Sequence, residues 1–466
     1  MTGILGILLA LGLLMALAYR GISVLILAPL MALLAALLSP GTPLLASYTQ
    51  VFMPALGGFI VAFFPLFLLG AVFGKLMEDS GAARAIAHGI VARLGAQRAI
   101  LAIVLACAVL TYGGVSLFVV AFAVYPIAAA LFRQADIPKR LIPGTIALGA
   151  FTFTMTALPG TPAIQNAIPM PYFGTTPFAA PGLGLIGGAV MAVVGLLWLQ
   201  RRARLARAAG EGYGTHDEPG QVTAPEPAGS GASGGLWRAL APVALVIALN
   251  YLLATWWLPA LDTGYLAEAR YGATDIDRVR GIWAVILALS AAIVLLLVLQ
   301  RQRLAHIGRT LEQGASGSVM PLLNTASQVG FGAVIASLAG FTLLRDAVLG
   351  IAPDNPLISM SIAVNILAGI TGSASGGMSI ALQTLGETWL AMGQAAGIAP
   401  DLLHRVTAIA TGGLDALPHN GAVITLLGIC GLSHRQSYTD ILVVAVLIPL
   451  LALAAVVLLG SALGSF

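Results

Sequence analysis

Charge is what this sequence lacks. Only 9% of its 466 residues are Asp, Glu, Lys or Arg, too few to cover the surface of a soluble protein of that length. Mean hydropathy is +0.97, and apolar runs long enough to cross a bilayer recur from end to end. Lysine is rarest among the charged types: Lys75 and Lys139 stand against 20 Arg. These basic residues sit in short loops between apolar runs, so the net charge of +4 does not describe a nucleic-acid-binding face. Cysteine is almost absent. Cys107 and Cys430 both fall in apolar stretches and read as buried thiols; a disulfide framework or a metal site needs more ligands at shorter spacing. No Gly-x-x-x-x-Gly-Lys loop and no His-Glu-x-x-His is present, which removes ATP hydrolysis and zincin chemistry. Energy for uphill work then has to come from an ion gradient, and no cofactor is expected.

What is present is a polytopic, all-α membrane pattern. The first apolar run, Ile4 to Ala18, mimics a signal peptide but has no basic leader, and a second run follows Arg20; it reads as an uncleaved first span. Spans are expected near 3–19, 22–39, 57–75, 181–200, 238–257, 281–299, 318–343 and 438–460. The segment 76–98 has apolar residues at helical spacing with Arg84, His88 and Arg93 between them, the pattern of an amphipathic helix lying along the membrane interface. One long polar stretch, 201–236, is rich in Pro, Gly and Ser and reads as a flexible linker.

The linker separates two halves, 1–200 and 237–466, with the same order of parts. Each has three spans, then a hairpin with a Gly/Ser/Thr tip (99–132 and 357–395), then an interrupted helix (141–175 and 403–433), then a last span. The tips are TYGGVS (Thr111 to Ser116) and TGSASGG (Thr371 to Gly377). The interruptions are FTMTALPGTPAIQN (Phe153 to Asn166) and GGLDALPHNGAVIT (Gly412 to Thr425). From Thr111 to Pro159 is 48 residues and from Thr371 to Pro418 is 47. Proline removes a backbone donor and breaks a helix. Broken backbone survives in a membrane only inside protein or beside water, and paired interruptions point to a transporter's binding site.

Charge sorting suggests orientation. If each hairpin enters and leaves on one side, 17 of the 22 basic residues share a face. The other face keeps Arg270, Arg278, Arg280, Arg345 and Arg405. The richer face is then cytoplasmic, with linker 201–236 on it and both termini periplasmic. The hairpins enter from opposite sides, as two inverted repeats with re-entrant tips.

A helix broken in mid-membrane exposes N–H groups that attract anions. Gly113, Gly114, Ser116, Thr156, Gly160, Thr161, Gln165 and Asn166 are the expected substrate-binding set of the first half. Ser373, Ser375, Gly376, Gly377, His419 and Asn420 are that of the second. No Lys or Arg falls near either break in the sequence, so the expected cradle binds an anion without arginine. Asp415 is the carboxylate placed deepest, and an ionisable group there is a functional candidate by default. His419 lies four residues on, within reach of the same face if the helix holds, so the pair is expected to carry a proton.

In FGKLMEDSGAARAIA (Phe73–Ala87), YGGVSLFVVAFAVYPIA (Tyr112–Ala128) and LDALPHNGAVITLLGICGLSHRQSYTDI (Leu414–Ile441) the chain resembles the gluconate:proton symporter (GntP) family of the ion-transporter superfamily. The last stretch is most similar to its hydroxybutyrate-permease branch. The resemblance implies proton-coupled uptake of a small carboxylate such as 3-hydroxybutyrate across the bacterial inner membrane. It also implies a homodimer and an elevator-like motion of hairpins and broken helices. A gluconate or citrate-type substrate, sodium coupling, and a cation/proton antiporter with Asp415 as the ion carboxylate remain alternatives. An intramembrane enzyme would have only Asp415 with His419 to work with.

Overall fold

A computed structural model describes residues 2–214, 232–304 and 306–466, and every regular element among them is helical. Among the described residues, seven helices are long and apolar enough to cross a bilayer, or eight if the bent pair Ala82–Leu94 with Ala96–Tyr112 is one span. The protein is a multi-pass membrane protein.

Each half begins with three helices. In the first they are Thr2–Tyr19, Val24–Leu37 and a long helix over Leu44–Asp79. In the second they are Gly235–Ala260, Ile276–Gln300 and Ile307–Ser337. The run expected at 22–39 forms a helix of only 14 residues, which rises about 21 Å against a hydrocarbon core of about 30 Å. The run expected at 318–343 does not continue to its end. Leu338 leaves the helix with extended backbone, and Phe341–Leu349 starts anew. Gly340 sits at this corner, and a Cβ there would come 2.8 Å from the backbone of Gly3. The corner lets the N-terminal helix reach the second half.

The long helices Leu44–Asp79 and Ile307–Ser337 lie along each other. Gly314 faces Val72 and Gly330 faces Phe52 so closely that a Cβ at either would come within 3 Å of the partner's backbone. Small residues give two helices this approach where lipid offers no hydrophobic drive. The amphipathic segment forms the helix Ala82–Leu94, with Arg84 on its exposed face and Ile86 and Ala87 buried. It meets the next helix at 105°.

The hairpins and interruptions follow. The first hairpin is Ala99–Tyr112 and Leu117–Gln134; the second is Pro356–Thr371 and Ala374–Ala395. Each turns at a left-handed glycine, Gly114 (φ 91°) and Gly372 (φ 60°), a conformation glycine adopts without strain. The arm Leu117–Gln134 has the length and hydropathy of a span. The first interrupted helix runs Ile142–Ala150, Phe153–Thr156, then Ile164–Ala167 and Pro169–Phe173. Pro159 and Pro162 lie in the gap and cannot donate to a helical ladder. The second runs Pro400–Ala410, a single 3₁₀ turn Leu414–Ala416, then Gly421–Cys430. Gly412, Gly413 and Pro418 fill its gaps. The closing helices are Pro181–Ala208 and His434–Leu463.

Three expectations need correction. The polar stretch 201–236 is not linker throughout, because the preceding helix extends to Ala208. Glu211 then pairs with Arg140 at 2.6 and 2.8 Å, and the Tyr213 amide donates to Asp136. The stretch 215–231 lies outside the described residues. Arg405, counted with the loops, is wholly buried. Lys139 is also buried, near the ring of Tyr125.

Candidate functional site

Both hairpin tips and both interruptions meet around one cavity of about 520 Å³. Four chain reversals bring N-terminal turns to it: Ser116–Phe118, Ala163–Gln165, Ser373–Ser375 and Asn420–Ala422 all line the wall. Each begins a helix whose first N–H groups have no partner within the helix. Ser373 uses its own hydroxyl to accept the Gly376 amide at 3.1 Å. Asn420 accepts the amides of Ala422 and Val423 at 2.6 and 3.2 Å and donates to the Gly372 carbonyl at 2.9 Å. Ser116 makes no such side-chain cap. Each hairpin tip is thereby tied to its own interruption. In the first half the tie is Tyr112, whose hydroxyl donates to the Pro159 carbonyl at 2.6 Å.

Of the expected substrate-binding residues, Gly114, Ser116, Thr156, Gln165, Ser373, Ser375 and Asn420 line the cavity, and so does Asp415. The others pack behind it. A Cβ on Gly113 would lie 2.5 Å from Val243. Gly160 faces the ring of Phe178, Gly376 faces Gln328, and Gly377 lies against the backbone of Ala368. These glycines serve close packing rather than a ligand. Thr161 is buried and caps the Ala163 amide. Asn166 has all its polar capacity engaged: it donates to Thr161 and Pro177, and accepts from Arg405 and from the His404 ring.

His419 departs most from expectation. The helix does not hold between Asp415 and His419, since Leu417 takes extended backbone after the 3₁₀ turn. The two side chains therefore do not share a helical face. The His419 ring nitrogen Nε2 lies 2.9 Å from the Gly369 carbonyl on the second hairpin. Asp415 lines the cavity. Among the described residues it is the one charged residue of the lining.

Two polar atoms in the wall are buried and have no hydrogen-bond partner, Thr111 Oγ1 and Gln165 Oε1. Such atoms cost free energy unless something satisfies them. Thr111 belongs to the first tip motif, and it lines the cavity. The helix Ile307–Ser337 also contributes Ser318, Asn324 and Thr325 to the wall. The Thr325 hydroxyl lies 3.2 Å from that of Ser375. That helix reads as an ordinary span, and nothing in its spacing marks these residues as lining. The rest of the wall is apolar, including Leu66, Phe67, Phe118, Phe151 and Met155.

No family model matches the chain. YxjC of Bacillus subtilis, an uncharacterized transporter, is 48% identical over 468 residues, covering 98% of this chain and 98% of that protein. The high-affinity gluconate transporter of Escherichia coli is 37% identical over 103 residues, 22% of this chain and 23% of that one. The crystal structure of the Alcanivorax borkumensis YdaH transporter superposes with a TM-score of 0.57, over 87% of this chain and 86% of that one, at 15% identity. At that identity the likeness concerns fold alone. A match of near-complete length at 48% identity decides the family: the chain belongs to the same family of transporters as YxjC.

Proposed function

We propose that this transporter imports a small monocarboxylate together with protons. The observation that carries the reading is the convergence of four helix N-terminal turns on a cavity whose only charged lining residue is Asp415. The helix dipoles, and the N–H groups at these turns that no side chain caps, favour an anion there. Thr111 and Gln165 add polar atoms that lack partners. Gln165 Oε1 is an acceptor, so a hydroxyl on the substrate would satisfy it. The apolar wall formed by Phe67, Phe118, Phe151 and Met155 suits a methyl end better than a chain of hydroxyls. A 3-hydroxybutyrate-like acid fits both parts of the wall; gluconate would leave most of its hydroxyls against carbon.

Asp415 supplies the coupling in this reading. Two carboxylates sharing one cavity hold a proton between them more readily than either does alone. The substrate anion therefore draws a proton onto Asp415, and the pair crosses with less net charge. Sodium held by the opened backbone is the competing coupling ion. The two halves, 1–200 and 237–466, act as inverted repeats whose hairpins re-enter from opposite sides. Their hairpins and broken helices move as an elevator against the long helices, in a homodimer of the bacterial inner membrane. Support comes from the same order of elements in both halves and from the charge sorting, which improves once Arg405 leaves the loops of the poorer face.

Uptake of labelled 3-hydroxybutyrate into proteoliposomes, driven by an imposed pH gradient and competed by gluconate and citrate, tests the reading. Accumulation that collapses with the pH gradient but not with sodium removal is expected. Lack of uptake of any carboxylate would sink it.

A further inference from the structure

The first interruption is held from behind by a cation contributed from the other half of the chain. Arg405 lies in the helix Pro400–Ala410 and has no exposed surface. Its Nε donates to the Ala179 carbonyl at 3.0 Å, and its Nη2 to Ala179 and Pro177 at 2.8 and 3.2 Å. Its Nη1 donates to Asn166 Oδ1 at 3.0 Å and to the Thr156 carbonyl at 3.3 Å. All four acceptor groups are neutral. The chain is shaped to admit this group. Ala180 takes a left-handed conformation (φ 41°) just after the carbonyl that accepts twice. Gly184 leaves room where a Cβ would come 3.1 Å from Arg405 Nε.

Every group that accepts from this guanidinium is a dipole, and the carboxylate that acts on it, Asp401 one turn earlier on the same helix, is itself part-exposed; much of the positive charge therefore stays unbalanced, and such a charge is costly in a membrane. Its position says where the charge acts. Arg405 does not line the cavity, but Thr156, which it touches, does, and so does Gln165, next to the Asn166 it touches. The guanidinium thus sits one residue layer behind the wall that carries the unpartnered Gln165 Oε1. The lining itself contains no lysine or arginine.

Resting on the reading of this cavity as an anion site, we infer that Arg405 is the fixed positive charge of that site, acting on the substrate through the first interruption and selecting a monoanion over a dianion. It is a positioning residue that never touches the substrate. The charge balance gives the selectivity. Arg405 and a monoanion, with Asp415 protonated, sum to zero. A second carboxylate on the substrate leaves an excess negative charge in a medium that solvates it poorly. A merely structural clamp would make no distinction between substrates by charge.

The test pairs isosteric substrates with conservative and neutralising variants in proteoliposomes. Succinate is a dianion at neutral pH, and its monoamide, succinamate, is a monoanion of the same shape. The wild-type protein should take up or bind succinamate with KM about tenfold below that of succinate. Arg405→Lys should keep that preference. Arg405→Gln, checked for folding by melting in detergent, should raise KM for succinamate about tenfold with kcat changed much less, and should narrow the preference. Equal KM for the two substrates in the wild type overturns the inference, as does wild-type KM in a folded Arg405→Gln protein. If Arg405→Gln does not fold, the wild-type substrate pair and Arg405→Lys decide. Failure of the wild type to take up butyrate, 3-hydroxybutyrate, gluconate and succinamate alike is a separate result. It removes the anion site itself.

Discussion

At the first interruption, the carbonyls of Thr156, Pro177 and Ala179 are capped by Arg405 from the second half, with Asn166 and His404 filling in around it. At the second, the capping is local: Asn420 closes its own helix and reaches only the neighbouring hairpin tip, where His419 also rests. The first broken helix is pinned at its other end as well. Arg140, just before it, meets the buried Asp440 of the last helix at 3.4 Å, and its carbonyl accepts from Ser437. Asp440 in turn holds Arg202 at 2.9 Å and the Trp198 indole at 3.1 Å. One break is thus clamped by long-range charge and contains no free ionisable group. The other is held by groups of its own half, Asn365, His434 and Tyr438 among them, and presents Asp415 to the cavity. In the proposed mechanism the first wall binds and the second couples.

The comparison is open to attack at five points, from the strongest expected effect to the weakest. Asp415→Asn should remove pH-driven accumulation, by about tenfold or more, while leaving substrate exchange measurable in counterflow. Unchanged accumulation would take the coupling role from the second break. Asn166→Ala leaves Arg405 and His404 each short of a buried partner. It should destabilise the protein by about 3 kcal/mol, read as a lowered melting temperature in detergent. Gln165→Ala removes a cavity acceptor without touching the clamp. Its KM for 3-hydroxybutyrate should rise about tenfold, with melting close to wild type; a lowered melting temperature with normal KM would assign it to structure. At the second break, Asn420→Ala deletes a helix cap and should cost about 1 kcal/mol, a smaller loss than at Asn166. Equal losses would erase the contrast between the breaks.

The weakest effect concerns pH. The Arg140 guanidinium holds the Glu211 carboxyl below its ordinary range. A carboxyl with a depressed folded-state pKa contributes stability above its unfolded value and loses it as pH falls through the folded one. Glu211 is 42% exposed, so solvent screening keeps the contribution small. Melting of Glu211→Gln should match wild type in acid and fall slightly below it at neutral pH. A gap that widens in acid would reverse the sign and exclude the pair as an anchor.

Much of this architecture is legible in the residues. Pro159 and Pro418 both fall inside the interruptions, although the helices before them already end at Ala150 and Ala410, and Gly114 and Gly372 turn the hairpins because a left-handed residue is needed there. The amphipathic helix Ala82–Leu94 follows from its period. Less legible is what lies across a gap from what. Spacing alone places His419 beside Asp415 on one helical face, but Leu417 goes extended and the turn is lost. Gly376 and Gly377 looked like ligand-approach glycines, yet a residue that permits close contact does not say whether ligand or helix makes it. Ser318, Asn324 and Thr325 sit in an unremarkable apolar helix, and only its passage beside the second tip makes them part of the wall.

Arg405 separates the two kinds of information. Hydropathy, scarce charge and the placement of proline and glycine determined by themselves that this chain crosses a membrane, where its helices break and which segments turn. Those features act within a few residues of chain, through backbone sterics and the cost of unpaired peptide groups. The sequence around Arg405 reads as a loop end carrying a routine positive charge. Only the packing of Pro400–Ala410 against residues more than two hundred positions earlier turns that charge inward. The carbonyls that receive it lie at a break, Thr156, and in the loop after the broken helix, Pro177 and Ala179, all in the other half. That distance in sequence leaves no local pattern to read, so the tertiary structure alone decides it.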